Sequence, residues 1–319
     1  MVKRILLHKV SAQYLSRGWL FLLLVCGLSV ALTTVNTELK AQTLRESLKQ
    51  RRQQHQLQSA QFKQLAPREY AYGTQDKQTL DIYPAQVRGA QLAPVIVMVH
   101  GGAWRTGDKR NSGVVENKWQ HWGAQGAMVV SLNYRLLPEA KPDQQVSDVA
   151  LAMAWLQREL PALGGDPQRI ILMGHSAGAH LISLLSVSTS LQQQFALHPW
   201  RLSIALDSAV YDVPNLMQAR HLPLYDAAFG KDSRYWLQMS PLVQMQQATF
   251  PFISVCSSQR RDGACQQAQG FVDKARSLGS AAELVAVDLS HGEINHLLGS
   301  AGAYTNTVDA LIAKLIGSL

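Results

Sequence analysis

The sequence predicts an α/β domain with a mostly parallel, twisted sheet and helices on both faces. Three observations predict it. From residue 69 onward, short β-rich runs alternate with helical stretches, the pattern of repeated βαβ units. Several of these runs, such as Val95-Ile-Val-Met-Val99, are apolar at successive positions, so both strand faces need cover. Of the 319 residues, 47% are hydrophobic and 16% charged, enough apolar material for a large core without help from metals.

In chain order, strands are expected at Leu80–Tyr83, Val95–His100, Met128–Asn133, Ile170–Met173, Leu202–Leu206, Phe252–Val255 and Glu283–Val287. Helices are expected near 143–160, 177–189, 265–278 and 302–316. Asp143 is the expected cap of the first helix, whose apolar stripe is Val146, Val149, Ala150, Met153, Ala154 and Leu156. Residues 211–250 interrupt the rhythm with Pro214, Pro223, Pro241 and several aromatics, which predicts a small insertion over the edge of the sheet.

The charge is unevenly placed. Residues 1–66 hold ten Lys/Arg and two Asp/Glu, a balance of +8, while residues 67–319 hold twenty of each and are neutral. A nucleic-acid-binding domain carries its basic patch on the folded body, so no nucleic-acid partner is expected. Lys3, Arg4, Lys9 and Arg17 precede an uncharged run from Trp19 to Thr37. Residues 1–37 therefore read as a signal peptide or signal anchor. The expectation is an exported, periplasmic protein, either soluble after cleavage near Ser29-Val-Ala31 or attached to the inner membrane through residues 19–37. Residues 38–66, rich in Gln, Lys and Arg, form a polar linker, and residues 67–319 form the domain.

The chemistry is concentrated at Gly174-His175-Ser176-Ala177-Gly178, a G-x-S-x-G between a predicted strand and a predicted helix. In that context the serine sits on a sharp turn, exposed as a nucleophile, and Gly174 and Gly178 supply the missing bulk. The strand Val95–Val99 leads into His100-Gly101-Gly102-Ala103-Trp104. Amides of Gly102 and Ala103, joined by that of Ala177, can bind an oxyanion. A serine nucleophile needs a base, and the base an acid; on such a turn they follow in the order acid, then histidine. Asp262 follows the Phe252–Val255 strand and His291 follows the last strand, so both positions are filled. Asp207 comes one strand earlier and reads as a structural hydrogen-bonding residue, Asp288 as a loop-fixing carboxylate. His296 is the rival base, and His100, His175 and His180 have structural readings as good as catalytic ones. His291-x-Glu-x-x-His296 is not the H-E-x-x-H zinc helix, so no metal is expected.

With these motifs in view, residues 68–317 resemble the α/β-hydrolase superfamily of serine esterases. His100-Gly-Gly, Tyr134-Arg-Leu-Leu-Pro-Glu139, Gly165-Asp-Pro-Gln-Arg-Ile170 and Gly174-His-Ser-Ala-Gly178 are similar to the hormone-sensitive-lipase-type carboxylesterases. The His100-Gly-Gly-x-Trp104 form and Ser290-His-x-x-Ile-Asn295 are more similar to the bacterial feruloyl-esterase-like group, near which kynurenine formamidase-type enzymes stand. The chain departs from lipase-type relatives at Ala103, where a third glycine is common, and in the acid loop, which lacks a His-Gly start.

The resemblance implies an α/β-hydrolase fold and cleavage of a small-molecule carboxylic ester through Ser176, His291 and Asp262, with an acyl-enzyme and no cofactor. Hydrolysis of an N-formyl aryl amine is one alternative. A non-catalytic, membrane-tethered binding module is another. Cys256 and Cys265 bracket the Asp262 loop and are the only cysteines beyond the leader, so in an exported chain a disulfide is expected to pin that loop. Trp104, Tyr211, Tyr225, Phe229 and Trp236 read either as a substrate cleft or as packing of the insertion. Oligomeric state and acyl preference leave no mark in the sequence.

Overall fold

The computed structural model describes residues 67–317 apart from residues 88 and 90; the expected leader (1–37) and linker (38–66) lie outside the described residues. The strands are β1 (Arg68–Ala71), β2 (Thr79–Tyr83), β3 (Ala93–Val99), β4 (Met128–Leu132), β5 (Gly165–His175), β6 (Leu202–Leu206), β7 (Phe252–Ser257) and β8 (Ala282–Val287). Among the described residues they form one sheet in the order β1-β2-β4-β3-β5-β6-β7-β8. The pairs β1/β2 and β2/β4 are antiparallel, and every later pair is parallel. Val95 to Val99 of β3 and all of β4, β6 and β7 are buried, as strands covered on both faces must be.

All seven expected strands are present. The unexpected one is β1, four mostly exposed residues that form an edge only by pairing with β2. Too short and polar to carry a pattern of its own, it is a product of its neighbour. Strand β5 begins five residues before the expected Ile170, because an irregularity in the β3/β5 ladder between Ala93 and Val95 lets Gly165 pair as well.

Helices α1 (Ser112–Lys118), α2 (Pro142–Leu163), α3 (Ala177–Val187) and α4 (Thr189–Gln194) follow in chain order. Helix α1 and the π-helical turn Trp119–Gly123 after it were not expected from the sequence. Helix α2 starts one residue earlier than expected, with Pro142 in its first turn and Gln144 accepting from the Lys141 amide. Asp143 therefore does not cap it; it lies inside the first turn and accepts a hydrogen bond from the Tyr235 hydroxyl. Its buried stripe is Val146, Val149, Ala150, Ala152, Met153, Leu156 and Leu160, whereas Ala154 is only half-buried. Every residue of α3 is buried, so this helix runs inside the molecule.

Residues 211–250 fold into four short helices, α5 (Val213–Gln218), α6 (Pro223–Phe229), α7 (Ser233–Gln238) and α8 (Pro241–Gln244). Their prolines stand in first turns, where a missing amide hydrogen costs nothing. The insertion packs on Trp104, which meets Tyr225 and Phe229 edge-on at 5.9 and 5.0 Å. Trp104, Tyr211, Tyr225 and Phe229 are buried, so these four aromatics are core, while Trp236 is half-buried. The chain ends in α9 (Ala264–Ser277), α10 (His291–Leu297) and α11 (Ala303–Ile316). Among the described residues no helix is long and apolar enough to cross a membrane.

Candidate active site

Strand β5 ends at His175 and α3 begins at Ala177, leaving Ser176 alone at the turn with φ 55° and ψ −117°. A non-glycine residue is strained there, and the surroundings hold it in place. Its amide donates to Leu206 O at 3.0 Å, and its carbonyl accepts from the His180 and Ala209 amides. Gly178 shows why the motif needs glycine. A Cβ there would lie 2.3 Å from Val99 O and 2.5 Å from His100 O, so the start of α3 touches the end of β3.

That contact brings the His100–Trp104 loop beside the serine. A Cβ on Gly101 would lie 2.9 Å from Ser176 Cβ. Gly102, Ala103 and Trp104 all have positive φ, at 127°, 51° and 59°. Among the described residues no backbone hydrogen bond engages the Gly102 or Ala103 amide, while the Gly102 carbonyl accepts from Arg105 and Thr106. Trp104 anchors the loop: its indole N–H points at His180 Nδ1, 3.3 Å away, and its carbonyl accepts from Gln145 and from the Leu137 amide. His100 stacks on Tyr134 at 4.5 Å, and its Nδ1 donates to Gly101 O. Burial lowers its pKa, so it braces the loop as a neutral ring.

His291 opens α10 instead of lying in a loop as expected. Ser290 caps the helix, and Glu293 reaches back to the Ser290 amide. The S-x-x-E signal at Ser290-His-Gly-Glu293 could have revealed this from the sequence. His175 Nε2 donates to His291 O at 2.9 Å, with the two rings 4.6 Å apart. The residue beside Ser176 thus carries the main chain of His291. Burial first, then the nearby His291, pushes the His175 pKa down to about 3, so it makes this bond as a neutral ring. The far end of α10 is tied to α1: Asn117 donates to His296 O and Lys118 to Asn295 O. Lys118 is wholly buried, and that burial lowers its pKa to about 7.

The carboxylate that meets His291 is not the one expected from the sequence. Asp207, immediately after β6, places Oδ2 at 2.5 Å from His291 Nδ1. Its other oxygen accepts from the Ser257 amide at 3.0 Å, and its side chain is 0% exposed. Burial alone would raise its pKa; the His291 hydrogen bond, the Arg260 charge and the Ser257 amide together outweigh that and hold it below the usual carboxylate range. Asp262 does not meet His291. Its side chain is 43% exposed and is gripped by Arg260, whose Nε and Nη2 donate at 3.0 and 2.5 Å. The sequence does not point to this contact, because Asp207 comes one strand earlier than the position expected for an acid and reads as structural. Asp288 accepts from Gln259, as a loop-fixing carboxylate does.

A disulfide joins Cys256 to Cys265, so the loop bearing Arg260 and Asp262 is closed at its base. A cavity of about 430 Å³ opens along Gly101, Gly102, Thr106, Gly107, His175 and Asn295, beside the serine turn. Among the described residues no three His, Cys, Asp or Glu side chains gather as metal ligands. The arrangement can do one kind of chemistry: a hydroxyl on a strained turn, a histidine oriented by a buried carboxylate, and free amides for a developing negative charge.

Residues 80–253 match the BD-FAE family model. The chain is 32% identical over 223 residues to a probable carboxylic ester hydrolase, LipM, of Mycobacterium tuberculosis, covering 66% of this chain and 51% of that protein. It is 29% identical over 245 residues to the isoprenylcysteine alpha-carbonyl methylesterase ICME of Arabidopsis thaliana, covering 70% and 56%. The chain spans about half the length of the curated relatives it matches. In fold it is similar to a thermophilic esterase from Thermogutta terrifontis, with a TM-score of 0.64 at 20% identity, covering 79% of this chain and 93% of that one.

Proposed function

The chain belongs to the BD-FAE family, and from that premise we propose that it is a serine hydrolase of carboxylic esters acting through Ser176, His291 and Asp207. The observation that carries this reading is the Asp207–His291 hydrogen bond, with the base tethered to the residue beside Ser176. Asp207 fixes the His291 tautomer with Nδ1–H toward the acid, which leaves Nε2 as the proton acceptor. His291 takes the Ser176 proton as the hydroxyl attacks the ester carbonyl, and the oxyanion is held by the Ala177, Gly102 and Ala103 amides. His291 then protonates the departing alcohol, and an acyl-enzyme remains on Ser176. Water, activated by the same histidine, releases the acid. Asp207 stabilises the imidazolium in both halves without itself taking the proton.

The names of the relatives support an ester as substrate. Export to the periplasm through residues 1–37 belongs to the same reading, supported by the Cys256–Cys265 disulfide, since such bonds persist in oxidising compartments. Fractionation of expressing cells checks it; the protein in the cytosolic fraction would overturn it. For the chemistry, Ser176→Ala is expected to lower p-nitrophenyl acetate turnover by about 10⁴-fold or more and to abolish fluorophosphonate labelling. Undiminished turnover in that variant would sink the mechanism.

A further inference from the structure

Arg260 touches both aspartates. Its Nη1 lies 3.1 Å from Asp207 Oδ2, the oxygen that accepts from His291, and also donates to Ser208 O. Its Nε and Nη2 form a fork on Asp262. The guanidinium side chain is only 15% exposed, and its loop is closed by the Cys256–Cys265 disulfide. We propose that Arg260 is a positioning residue that acts through Asp207: it holds the buried acid ionised and, as a fixed positive charge behind it, keeps His291 in its proton-accepting form, while Asp262 moderates that charge. This rests on the Ser176–His291–Asp207 reading and goes beyond it by assigning a role to the loop after β7.

The physical reason is competition for one carboxylate. Asp207 by itself favours the imidazolium, because a buried negative charge 2.5 Å away stabilises a positive one. A guanidinium on the same oxygen spends part of that field and repels a second cation. Such an arrangement leaves His291 oriented by the acid while weakening the field that would hold it as the imidazolium.

Other groups around the site are fewer in charge. His175 faces His291 as a neutral ring, and the Tyr225 hydroxyl lies against Arg260 and donates to Ala209 O. Tyr211 and Tyr304 feel Asp207 and are held protonated by burial. On α10 itself Glu293 is engaged with Ser290; Lys118 of α1 lies near His175 and is held by backbone carbonyls of Asn295 and Gly113. Asp288 is held by Gln259. Arg260 and Asp262 are therefore the charges whose removal changes the field along the Asp207–His291 axis.

The test is kcat/KM against pH for the full chain on p-nitrophenyl acetate, whose acid limb reports the base of the free enzyme. Arg260→Gln is expected to move that limb up by about one pH unit, since a nearby cation is lost. Arg260→Lys, which keeps the charge and loses the fork, is expected to leave the limb near its original position. Asp262→Asn is expected to move it down, because the guanidinium is then unopposed. The opposite signs distinguish a charge effect from loosened packing, and Asp262→Asn carries the test if Arg260→Gln does not fold. A limb unmoved in Arg260→Gln and Asp262→Asn, with turnover lost in Asp207→Asn, overturns this proposal and leaves the triad standing. Full activity in Asp207→Asn overturns the triad reading itself, and the proposal with it.

Discussion

Two neighbouring parallel strands, β6 and β7, each lead into a segment carrying an aspartate, and the two carboxylates end in opposite surroundings. Asp207 follows the last residue of β6 directly, with φ 50°, and its amide donates to Val255 O of β7. The sheet itself aims its side chain. Asp262 lies five residues beyond the end of β7, half in solvent, and is held by a side chain of its own loop. A carboxylate on a rigid strand end can keep hydrogen-bond distance to a partner 84 residues away; one on a loop is positioned only by what grips it. Here the gripping group is Arg260, which turns the second acid from a candidate partner of His291 into a counter-charge.

The largest expected effect separates the two acids by turnover. Asp207→Asn should lower kcat by about 10⁴-fold, the consequence of losing the group that sets the histidine tautomer. Asp262→Asn should stay within about tenfold of the wild type at neutral pH. If the rank order of these kcat values is reversed, the assignment by burial is wrong. Next in size is the closure of the second loop. Replacing Cys256 and Cys265 by Ser should cost about 2–3 kcal/mol of unfolding free energy, from the short loop the bond closes, read by urea titration. Because Asp207 is held by β6, this variant should lose stability while retaining most of its kcat. A kcat as low as that of Asp207→Asn would show that the β7 loop, too, builds the site.

A third effect concerns pH and the rings of His175 and His180. His175 and His180 titrate near pH 3 and 4 in the folded chain, lowered first by burial, against about 6.5 when unfolded. Between these values the unfolded chain binds more protons, so stability falls as pH drops below about 6.5, by up to about 1.4 kcal/mol per pH unit for each ring. Asp207 adds to the loss below about pH 4, since its folded pKa is lowered and protonation favours the unfolded chain. Urea midpoints between pH 7 and 4 check this; a His180→Gln variant should show a shallower slope than the wild type. An unchanged slope would mean that His180 is charged in the folded protein.

Much of the molecule was legible because it is written locally. The apolar run Val95–Val99 needs no partner to announce a strand covered on both faces, and the spacing of Gly174, Ser176 and Gly178 announces the turn between strand and helix. What escaped reading was either too short for a period, as with β1 and α1, or hidden in a signal passed over, as with the Ser290–Glu293 cap that makes His291 the first residue of a helix. The aromatics Trp104, Tyr211, Tyr225 and Phe229 could have been a cleft or a core on sequence grounds; only their burial decides for core.

By itself the sequence determined seven of the eight strands of the described residues, the serine turn with its glycines, and the two cysteines that pair. Each depends on residue type within a few positions or on a choice among very few candidates. Which aspartate meets His291 was decided by the tertiary structure alone. Asp207 and Asp262 have the same chemistry and both follow strands, so no local rule separates them. The register of β6 against β7 buries one beside His291, and the position of Arg260 holds the other apart.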